Sequence, residues 1–147
     1  MLFGTRTRVK HDGPHDILFP TDFSPQSKAA EPYAFSRAKK YASRLTLLHV
    51  LEHPSENVLV ERNRLQQAKG RLRELAELHE AAMDNTDWLE KSGAPAESIL
   101  RTAVQKRADL IVLGVRAGQG LSDRLMWPNA CRVVCDSHCP VLSVRTH

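Results

Sequence analysis

Two short, almost unbroken apolar runs limit the possible folds of this chain more than any other feature. They are LTLLHVL at 45–51 and DLIVLG at 109–114. A strand with one face in water alternates apolar and polar residues, whereas a strand of a parallel sheet is covered on both faces and is apolar throughout. Both runs are therefore predicted to be buried strands of a parallel sheet. Such strands need a crossover connection, usually a helix, between them.

Segments with helical periodicity do alternate with strand-like runs along the chain. Ser24 is a predicted N-cap and Pro25 a predicted first helical residue. The predicted strands are 16–20, 45–51, 86–93, 109–114 and 140–144, and the predicted helices are about 25–43, 57–83, 94–107 and 128–137. This alternation predicts a doubly wound, Rossmann-like α/β domain with a five-stranded parallel sheet, strand order 3-2-1-4-5, and helices on both faces.

Length and charge restrict the class of protein. At 147 residues the chain fits one domain, predicted at 15–147, preceded by a mobile N-terminal arm at 1–14. The net charge of +4 is spread among acidic residues, and the locally basic RTRVK at 6–10 has no aromatic platform beside it, so we expect no nucleic-acid partner. No apolar stretch has the length of a membrane span or of a signal-peptide core, so we expect a cytoplasmic protein without a membrane partner.

The predicted topology indicates where a ligand would bind. In open α/β sheets, ligands bind outside the carboxyl ends of the strands, at the point where the strand order reverses. Three segments should converge there: PTD at 20–22, VLEH at 50–53 and the loop that opens at Gly114. That loop is rich in glycine and leads into a helix, as phosphate-binding loops do. It also contains Trp127 and Pro128, which are unusual at such a site.

Four blocks of this sequence resemble, in order and spacing, the conserved blocks of the universal stress protein family. They are ILFPTDFSPQS, LTLLHVLEH, ADLIVLGVR and CPVLSVR, and the resemblance runs from about Asp16 to Arg145. It implies a five-stranded parallel sheet, a cytoplasmic homodimer formed largely through the last strand and a role in stress survival. We also expect a downstream protein partner, whose identity the sequence does not give. Some members of the family bind ATP or AMP, and others bind no nucleotide.

The ATP-binding members of that family carry a glycine, two residues, a second glycine, nine residues, and then a glycine followed by serine or threonine. On this chain the first glycine is Gly114, the second position is Ala117, and the closing pair is Trp127 and Pro128. In the family, the residues at the positions of Asp22 and Val50 face the adenosine, and this chain keeps both residue types. The resemblance thus implies an intact nucleoside half and a degenerate phosphate half.

The physical consequence is weak or lost ATP binding. Pro128 supplies neither a backbone N–H nor a hydroxyl to a phosphate. Arg116 and Arg124 could compensate in part, because guanidinium pairs well with phosphate, and Gly118 could let the loop rearrange. We expect no bound cofactor, with ATP or AMP as the alternative, and we expect the Trp127 indole to pack at the mouth of the crevice. The predicted nucleotide-site residues are Pro20, Thr21, Asp22, Val50, Gly114, Arg116, Ala117, Gly118, Trp127, Pro128 and Asn129.

The last predicted strand would end the sheet with an uncovered edge, which invites pairing with another chain. The family resemblance implies an antiparallel partner at this edge, related by two-fold symmetry. The predicted interface residues are Val141, Leu142, Ser143, Val144 and Arg145.

Two more specific hypotheses, a hydrolase site and a metal or redox site, find less support in the residues. A hydrolase triad could combine Ser24 or Ser122 with Asp22 and His49, but the chain has no G-x-S-x-G elbow, and a histidine inside a strand is more often a hydrogen-bonded core residue. We therefore predict no catalytic residue and no enzymatic activity, with a small-molecule hydrolase as the alternative from another functional class.

A metal or redox site could involve the cysteines near the carboxyl end. Cys131, Cys135, His138 and Cys139 do not have the paired spacing of structural zinc sites. The stripe Ala130, Val133, Val134 and Ser137 is predicted to face inward, which leaves Cys131 and Cys135 near solvent as free thiols. The favoured function is a dimeric regulatory or protective stress module, and the runner-up is an ATP- or AMP-binding switch.

Overall fold

The computed structural model describes residues 13–80, 83–116 and 121–146, with the backbone alone for Met83 and residues 121–128. The predicted arm at 1–14 lies outside this range except for Gly13 and Pro14, and its mobility stays a prediction. The elements are β1 (Asp16–Pro20), α1 (Pro25–Tyr41), β2 (Arg44–Leu51), α2 (Val58–Leu78), a 3-10 turn (Met83–Asn85), β3 (Thr86–Ser92), α3 (Pro95–Gln105), β4 (Leu110–Arg116), α4 (Leu121–Asp136) and β5 (Val141–Thr146).

The five strands form one parallel sheet in the order β3-β2-β1-β4-β5, which confirms the predicted topology. At the centre of the sheet, Ile17 of β1 pairs with Leu45 of β2 on one side and with Leu110 of β4 on the other. The chain winds outward from β1 in both directions, so the strand order reverses between β1 and β4. The carboxyl ends of these two strands therefore frame the crevice that this topology creates.

The sheet is covered on both faces, as the unbroken apolar runs of β2 and β4 require. Ile17 and Phe19 of β1 pack in one core cluster with residues of α1 and α2. Leu18, which points to the opposite face, packs in a second cluster with residues of α3 and α4. All three β1 side chains are at most 1% exposed. Both faces of β1 are thus buried, so this central strand presents polar groups to a ligand at its carboxyl end.

Local signals start the two helices on the first face. The predicted N-cap of α1 is confirmed, because the Ser24 hydroxyl accepts a hydrogen bond from the Ser27 N–H and Pro25 takes a first-turn position. The Asn57 side chain caps α2 in the same way by accepting hydrogen bonds from the N–H groups of Leu59 and Val60. Such caps satisfy backbone donors that a helix leaves unpaired in its first turn.

The fourth helix begins earlier than the sequence predicts. We expected it to start near residue 128, because proline is favoured in the first turn of a helix. Instead α4 begins at Leu121, since leucine, arginine and methionine in 121–126 are good helix formers. Trp127 and Pro128 consequently lie inside the helix. Because proline has no N–H, one backbone hydrogen bond of α4 is missing at Pro128.

The inward face of α4 also differs from the prediction at one position. Val133 is fully buried and Ala130 packs against the second core cluster, as expected. Val134, however, is 49% exposed, because it lies about 100° around the helix from Val133.

Within the described ranges, no helix is long and apolar enough to cross a membrane.

Candidate functional site

A cavity of about 400 Å³ opens at the carboxyl ends of β1, β2 and β4. Its apolar lining includes side chains from both halves of the domain, among them Leu48, Ile99 and Val133. Seven of the residues predicted for the nucleotide site line this cavity: Pro20, Thr21, Asp22, Val50, Gly114, Arg116 and Asn129. The topology thus brings together the three segments that the sequence indicated. We refer to this cavity as the crevice.

The structure does not describe the side chains of the other four predicted site residues. Ala117 and Gly118 lie outside the described residues, and so do the side chains of Trp127 and Pro128. The expected packing of the Trp127 indole at the crevice mouth therefore stays a prediction. The backbone does show that positions 127 and 128 belong to α4.

The turn between β1 and α1 is closed by its own side chains. One carboxylate oxygen of Asp22, Oδ1, accepts hydrogen bonds from the Ser24 N–H at 3.0 Å and from the Ser27 hydroxyl at 2.8 Å. The Ser27 oxygen in turn accepts a hydrogen bond from the Asp22 N–H at 3.3 Å. Pro25 has no N–H, and the Ser24 hydroxyl accepts the N–H of Ser27, so neither residue offers a free backbone donor at the start of α1.

The same hydrogen bonds determine the charge of Asp22. Burial alone would raise the pKa of this carboxyl group, but the hydrogen bonds from Ser24 and Ser27 outweigh it and hold the pKa below its usual value. Asp22 is therefore a carboxylate at neutral pH. A fixed negative charge lies at the wall of the crevice.

Phe23, the residue between Asp22 and the N-cap, has a φ of 62°, which is uncommon for an aromatic residue. Packing stabilises this conformation. The His49 ring lies 4.8 Å from the Phe23 ring, and the Arg71 guanidinium lies 4.0 Å from its centroid, within cation–π range. The β1–α1 turn is thereby fixed to β2 and α2.

Gly114 lines the crevice, and packing explains why this position carries no side chain. A Cβ atom built on Gly114 would overlap the carbonyl group of Gln26 and would lie 2.9 Å from the Cα of Ser27. The first turn of α1 thus rests directly against the backbone of β4. This glycine is required by the approach of α1, so its presence alone does not indicate a phosphate site.

The loop that follows β2 is held by a pair of charged residues on α2. Arg64 donates hydrogen bonds to the carbonyl oxygens of Glu52 at 2.9 Å and His53 at 3.0 Å. Glu61 binds Arg64 at 3.1 Å and accepts a hydrogen bond from the Ser92 hydroxyl at 2.7 Å, which ties the loop to the end of β3.

Hydrogen bonds to the Glu61 carboxylate also explain its acidity. The Ser55 N–H and the Ser92 hydroxyl hold the pKa of Glu61 below its usual value, with a smaller contribution from Arg64. Glu61 is therefore a carboxylate at neutral pH and can pair with Arg64. The backbone of Glu52, which lines the crevice, is fixed as a result.

Sequence reasoning missed several lining residues, of which Ser27, Gln26 and Glu52 are the most polar. Glu52 belongs to the VLEH segment that was expected at the crevice, so its position after β2 was a usable signal. Ser27 and Gln26 had no comparable signal, since their role depends on how closely α1 approaches β4. The remaining missed residues are Ser24, Leu48, Pro95, Ile99, Leu113, Val115, Ala130 and Val133.

His49 has a structural role in the described contacts. Its Nδ1 lies 2.8 Å from the Thr21 carbonyl oxygen, which can only accept, so Nδ1 carries the proton and donates. No described hydrogen bond joins His49 to Ser24 or Asp22. The Ser122 side chain lies outside the described residues, so only the Ser24 version of the hydrolase triad can be judged, and it is not assembled.

The cysteines near the carboxyl end are free thiols. Cys131 and Cys135 are exposed on α4, and Cys139 is half-buried before β5. Among the residues whose side chains are described, no group of three or more His, Cys, Asp or Glu is arranged to hold a metal ion.

Comparison with known proteins identifies the family. The model of the universal stress protein family matches residues 14–145. A universal stress protein from Thermus aquaticus is 34% identical over 134 residues, which cover 88% of this chain and 97% of that protein.

Two solved structures share the fold and contain nucleotides. A universal stress protein in complex with cAMP has a TM-score of 0.66 at 18% identity and covers 90% of this chain and 98% of its own. A family protein from Arabidopsis thaliana with AMP bound has a TM-score of 0.61 at 17% identity, and the match covers 91% of this chain and 93% of that chain. The match to the family model and the Thermus aquaticus relative together show that the chain belongs to the universal stress protein family.

Proposed function

We propose that this universal stress protein domain is a dimeric regulatory or protective module of the stress response, not an enzyme, and that its crevice binds ATP weakly or not at all. The observation that carries the proposal is the presence of Trp127 and Pro128 inside α4. Backbone N–H groups inside a helix are used by the helix itself, and Pro128 has none, so neither residue offers a donor to a phosphate.

The size of the loss follows from the strength of such contacts. A hydrogen bond to a charged group contributes about 1.5–3 kcal/mol. Without the two donors at positions 127 and 128, ATP binding should be weaker by about 10²- to 10⁴-fold.

The absence of enzymatic activity is supported by the polar groups that the structure describes near the crevice. His49 is engaged with the Thr21 carbonyl, and Asp22 is engaged with Ser24 and Ser27. A general base must reach the proton that it abstracts. His49 donates to a carbonyl oxygen, and the hydroxyl that donates to Asp22 belongs to Ser27, which is buried. A serine-reactive probe should therefore leave the protein unlabelled, and labelling of Ser24 or Ser122 would favour the hydrolase alternative.

A homodimer through β5 is supported by the position of this strand. β5 is an outer strand of the sheet and pairs with β4 on one side. Val141, Leu142 and Val144 are half-buried, and Ser143 and Arg145 are exposed. An outer strand of this composition can pair with a second copy across a two-fold axis.

Sedimentation tests the dimer. We expect a dimer at tens of micromolar protein, and Ser143→Asp should weaken it by placing like charges in a symmetric interface. Ser36→Asp, an exposed serine on α1, is the control and should leave the dimer intact. A monomeric wild type would contradict this part of the proposal.

The second candidate function is an ATP- or AMP-binding stress switch. It is favoured by the crevice, which has the volume of a ligand site and contains both Asp22 and Val50. The relatives solved with cAMP and AMP add to its support. ATP or AMP would then be the cofactor. The cytoplasmic location and the downstream protein partner apply to both candidates and stay predictions.

Extraction of nucleotide from the purified protein separates the two candidates. We expect less than stoichiometric adenine nucleotide, and one molecule per protomer would instead favour the switch. A triple variant with Ala117→Gly, Trp127→Gly and Pro128→Ser restores the family pattern and should bind Mg-ATP at least about tenfold more tightly than wild type, a gain of about 1.4 kcal/mol. Ala117→Gly alone is the control, and a folded triple variant without a gain would place the defect elsewhere, for example near Val50.

A further inference from the structure

Two exposed cysteines lie on α4, outside the lining of the crevice. Cys131 and Cys135 are free thiols, and no described residue is bonded to either of them. Cys139 differs from this pair, because it is half-buried and its N–H donates to the Ser137 hydroxyl, which also lies 3.5 Å from its sulfur. The thiols on α4 are therefore open to an external ligand, whereas the third thiol is engaged by its own turn.

The two exposed thiols are one helical turn apart. Residues four apart in a helix lie on the same face, with Cβ atoms about 5–6 Å apart. The helix is regular at this point, since the Ser137 N–H donates to the Val133 carbonyl oxygen at 3.0 Å. The adjacent pair with the same spacing, Arg132 and Asp136, does meet, with 3.6 Å between the guanidinium Nε and a carboxylate oxygen. The same spacing places the two thiols side by side.

This separation suits a single bridging atom better than a disulfide. A disulfide needs Cβ atoms about 3.5–4.5 Å apart, which is shorter than the separation of about 5–6 Å across one helical turn. A direct sulfur–sulfur bond would therefore distort α4. An atom placed between the two sulfurs adds a second bond, of about 2.3 Å in the case of zinc, and spans the longer distance without moving the backbone.

The number and the kind of ligands limit which atom can bridge the thiols. Thiol sulfur is a soft ligand and selects soft, thiophilic elements. Among the residues whose side chains are described, no third His, Cys, Asp or Glu completes a metal-binding group, whereas zinc takes four ligands. A trivalent organoarsenical, in which arsenic carries one carbon group and two hydroxyls, needs only two thiols, because its third bond is to carbon.

We propose that Cys131 and Cys135 form a two-thiol site for trivalent organoarsenicals on the exposed face of α4. In the binding reaction, both As–O bonds break and two As–S bonds form. Each thiol proton leaves with a hydroxyl group as water, so two water molecules are released and no atom changes its oxidation state. The site goes beyond the proposed function and does not depend on the fate of ATP in the crevice.

Titration of the reduced protein with phenylarsonous acid, after removal of the reductant, tests the site. Mass spectrometry of the intact chain should show one phenylarsenic group per chain, and calorimetry gives the affinity. Cys131→Ser and Cys135→Ser should each weaken binding by at least about 10²-fold, because a second bond formed within one molecule strengthens binding by about 10²–10⁴. Cys139→Ser is the matched control and should leave binding unchanged.

The other outcomes would each overturn this inference. Two chains joined by arsenic in the mass spectrum would mean that the bridged thiols belong to different copies. Loss of binding in Cys139→Ser would place the site elsewhere, and wild-type affinity in Cys131→Ser or Cys135→Ser would show that one thiol suffices. Absence of binding by the folded wild type would show that the pair is not a site. None of these results would affect the proposed function.

Discussion

The two strand-to-helix connections that frame the crevice, β1–α1 and β4–α4, are built in different ways. The first is closed by side-chain hydrogen bonds among Asp22, Ser24 and Ser27, with a proline in the first turn of its helix. The second leads into a helix that contains a proline well inside it, at Pro128. Asp22 of the first connection lines the crevice as a carboxylate, whereas the second connection leads into a helix in which Trp127 and Pro128 offer no free backbone donor to a phosphate. The comparison supports the proposal that the crevice binds a phosphate weakly or not at all.

The largest expected change in the free energy of unfolding comes from a substitution at the point where the two connections touch. Gly114→Ala would place a Cβ atom on the Gln26 carbonyl, and backbone cannot move aside without displacing α1. We expect the free energy of unfolding to fall by at least about 3 kcal/mol, the upper end for overpacked sites. Urea denaturation of the variant and the wild type measures this change in the free energy of unfolding.

Gly70→Ala is the matched control for that substitution. A Cβ atom at Gly70, on α2, meets nothing within 4 Å, so the change should stabilise the protein by about 0.5–1 kcal/mol. Equal effects of the two substitutions would contradict the packing of α1 against β4.

The second prediction tests the start of α4. Proline is about 3 kcal/mol less favourable than alanine inside a helix, whereas it is favoured at the first position. Because Pro128 lies inside α4, Pro128→Ala should raise the free energy of unfolding by about 1–3 kcal/mol. Pro32→Ala, at an exposed proline inside α1, should show a gain of the same sign. A neutral or destabilising Pro128→Ala beside a stabilising Pro32→Ala would place the start of α4 near residue 128 instead.

The third prediction weakens the β1–α1 connection. Ser27 is 6% exposed and both donates to and accepts from Asp22. Ser27→Ala should lower the free energy of unfolding by about 1–2 kcal/mol, because it leaves buried polar groups without partners. Ser36→Ala, at an exposed serine of the same helix, should change it by less than about 0.5 kcal/mol. A Ser27→Ala protein as stable as the control would show that the turn does not depend on this network.

The smallest expected effect concerns pH. The pKa of Asp22 is lowered on folding from its ordinary value of 3.8, so its contribution to stability is present above that value and is lost as the pH falls through the lower folded-state pKa. Asp22→Asn should therefore flatten the acid side of the stability curve below pH 3.8. Asp84→Asn, at an exposed aspartate without a described partner, should leave it unchanged. Parallel acid curves for Asp22→Asn and wild type would contradict the role of the turn's hydrogen bonds.

Features encoded in consecutive residues were predictable from the sequence. The unbroken apolar runs of β2 and β4 predicted buried parallel strands, and Ser24 with Pro25 predicted the start of α1. The positions of Asp22 and Val50 at strand ends placed them at the crevice. Each of these signals depends on local patterning or on a rule that links strand order to the ligand site.

Features that depend on close approach between distant segments were not predictable. The need for glycine at position 114 arises from the backbone of Gln26, which is far away in sequence. Ser27 and Glu52 join the crevice because α1 and the loop after β2 are held there by Gly114 and Arg64. The start of α4 was misplaced because the preference of proline for a first turn competes with the helix propensity of the residues before it.

Calorimetric titration of the wild-type protein with Mg-ATP at neutral pH tests the central claim most directly. A crevice that keeps the Asp22 carboxylate but lacks phosphate donors at Trp127 and Pro128 should show no ATP affinity tighter than about 100 μM, which corresponds to about −5.5 kcal/mol. A dissociation constant in the low micromolar range would contradict the account, because it would show that the β4–α4 connection still holds a triphosphate.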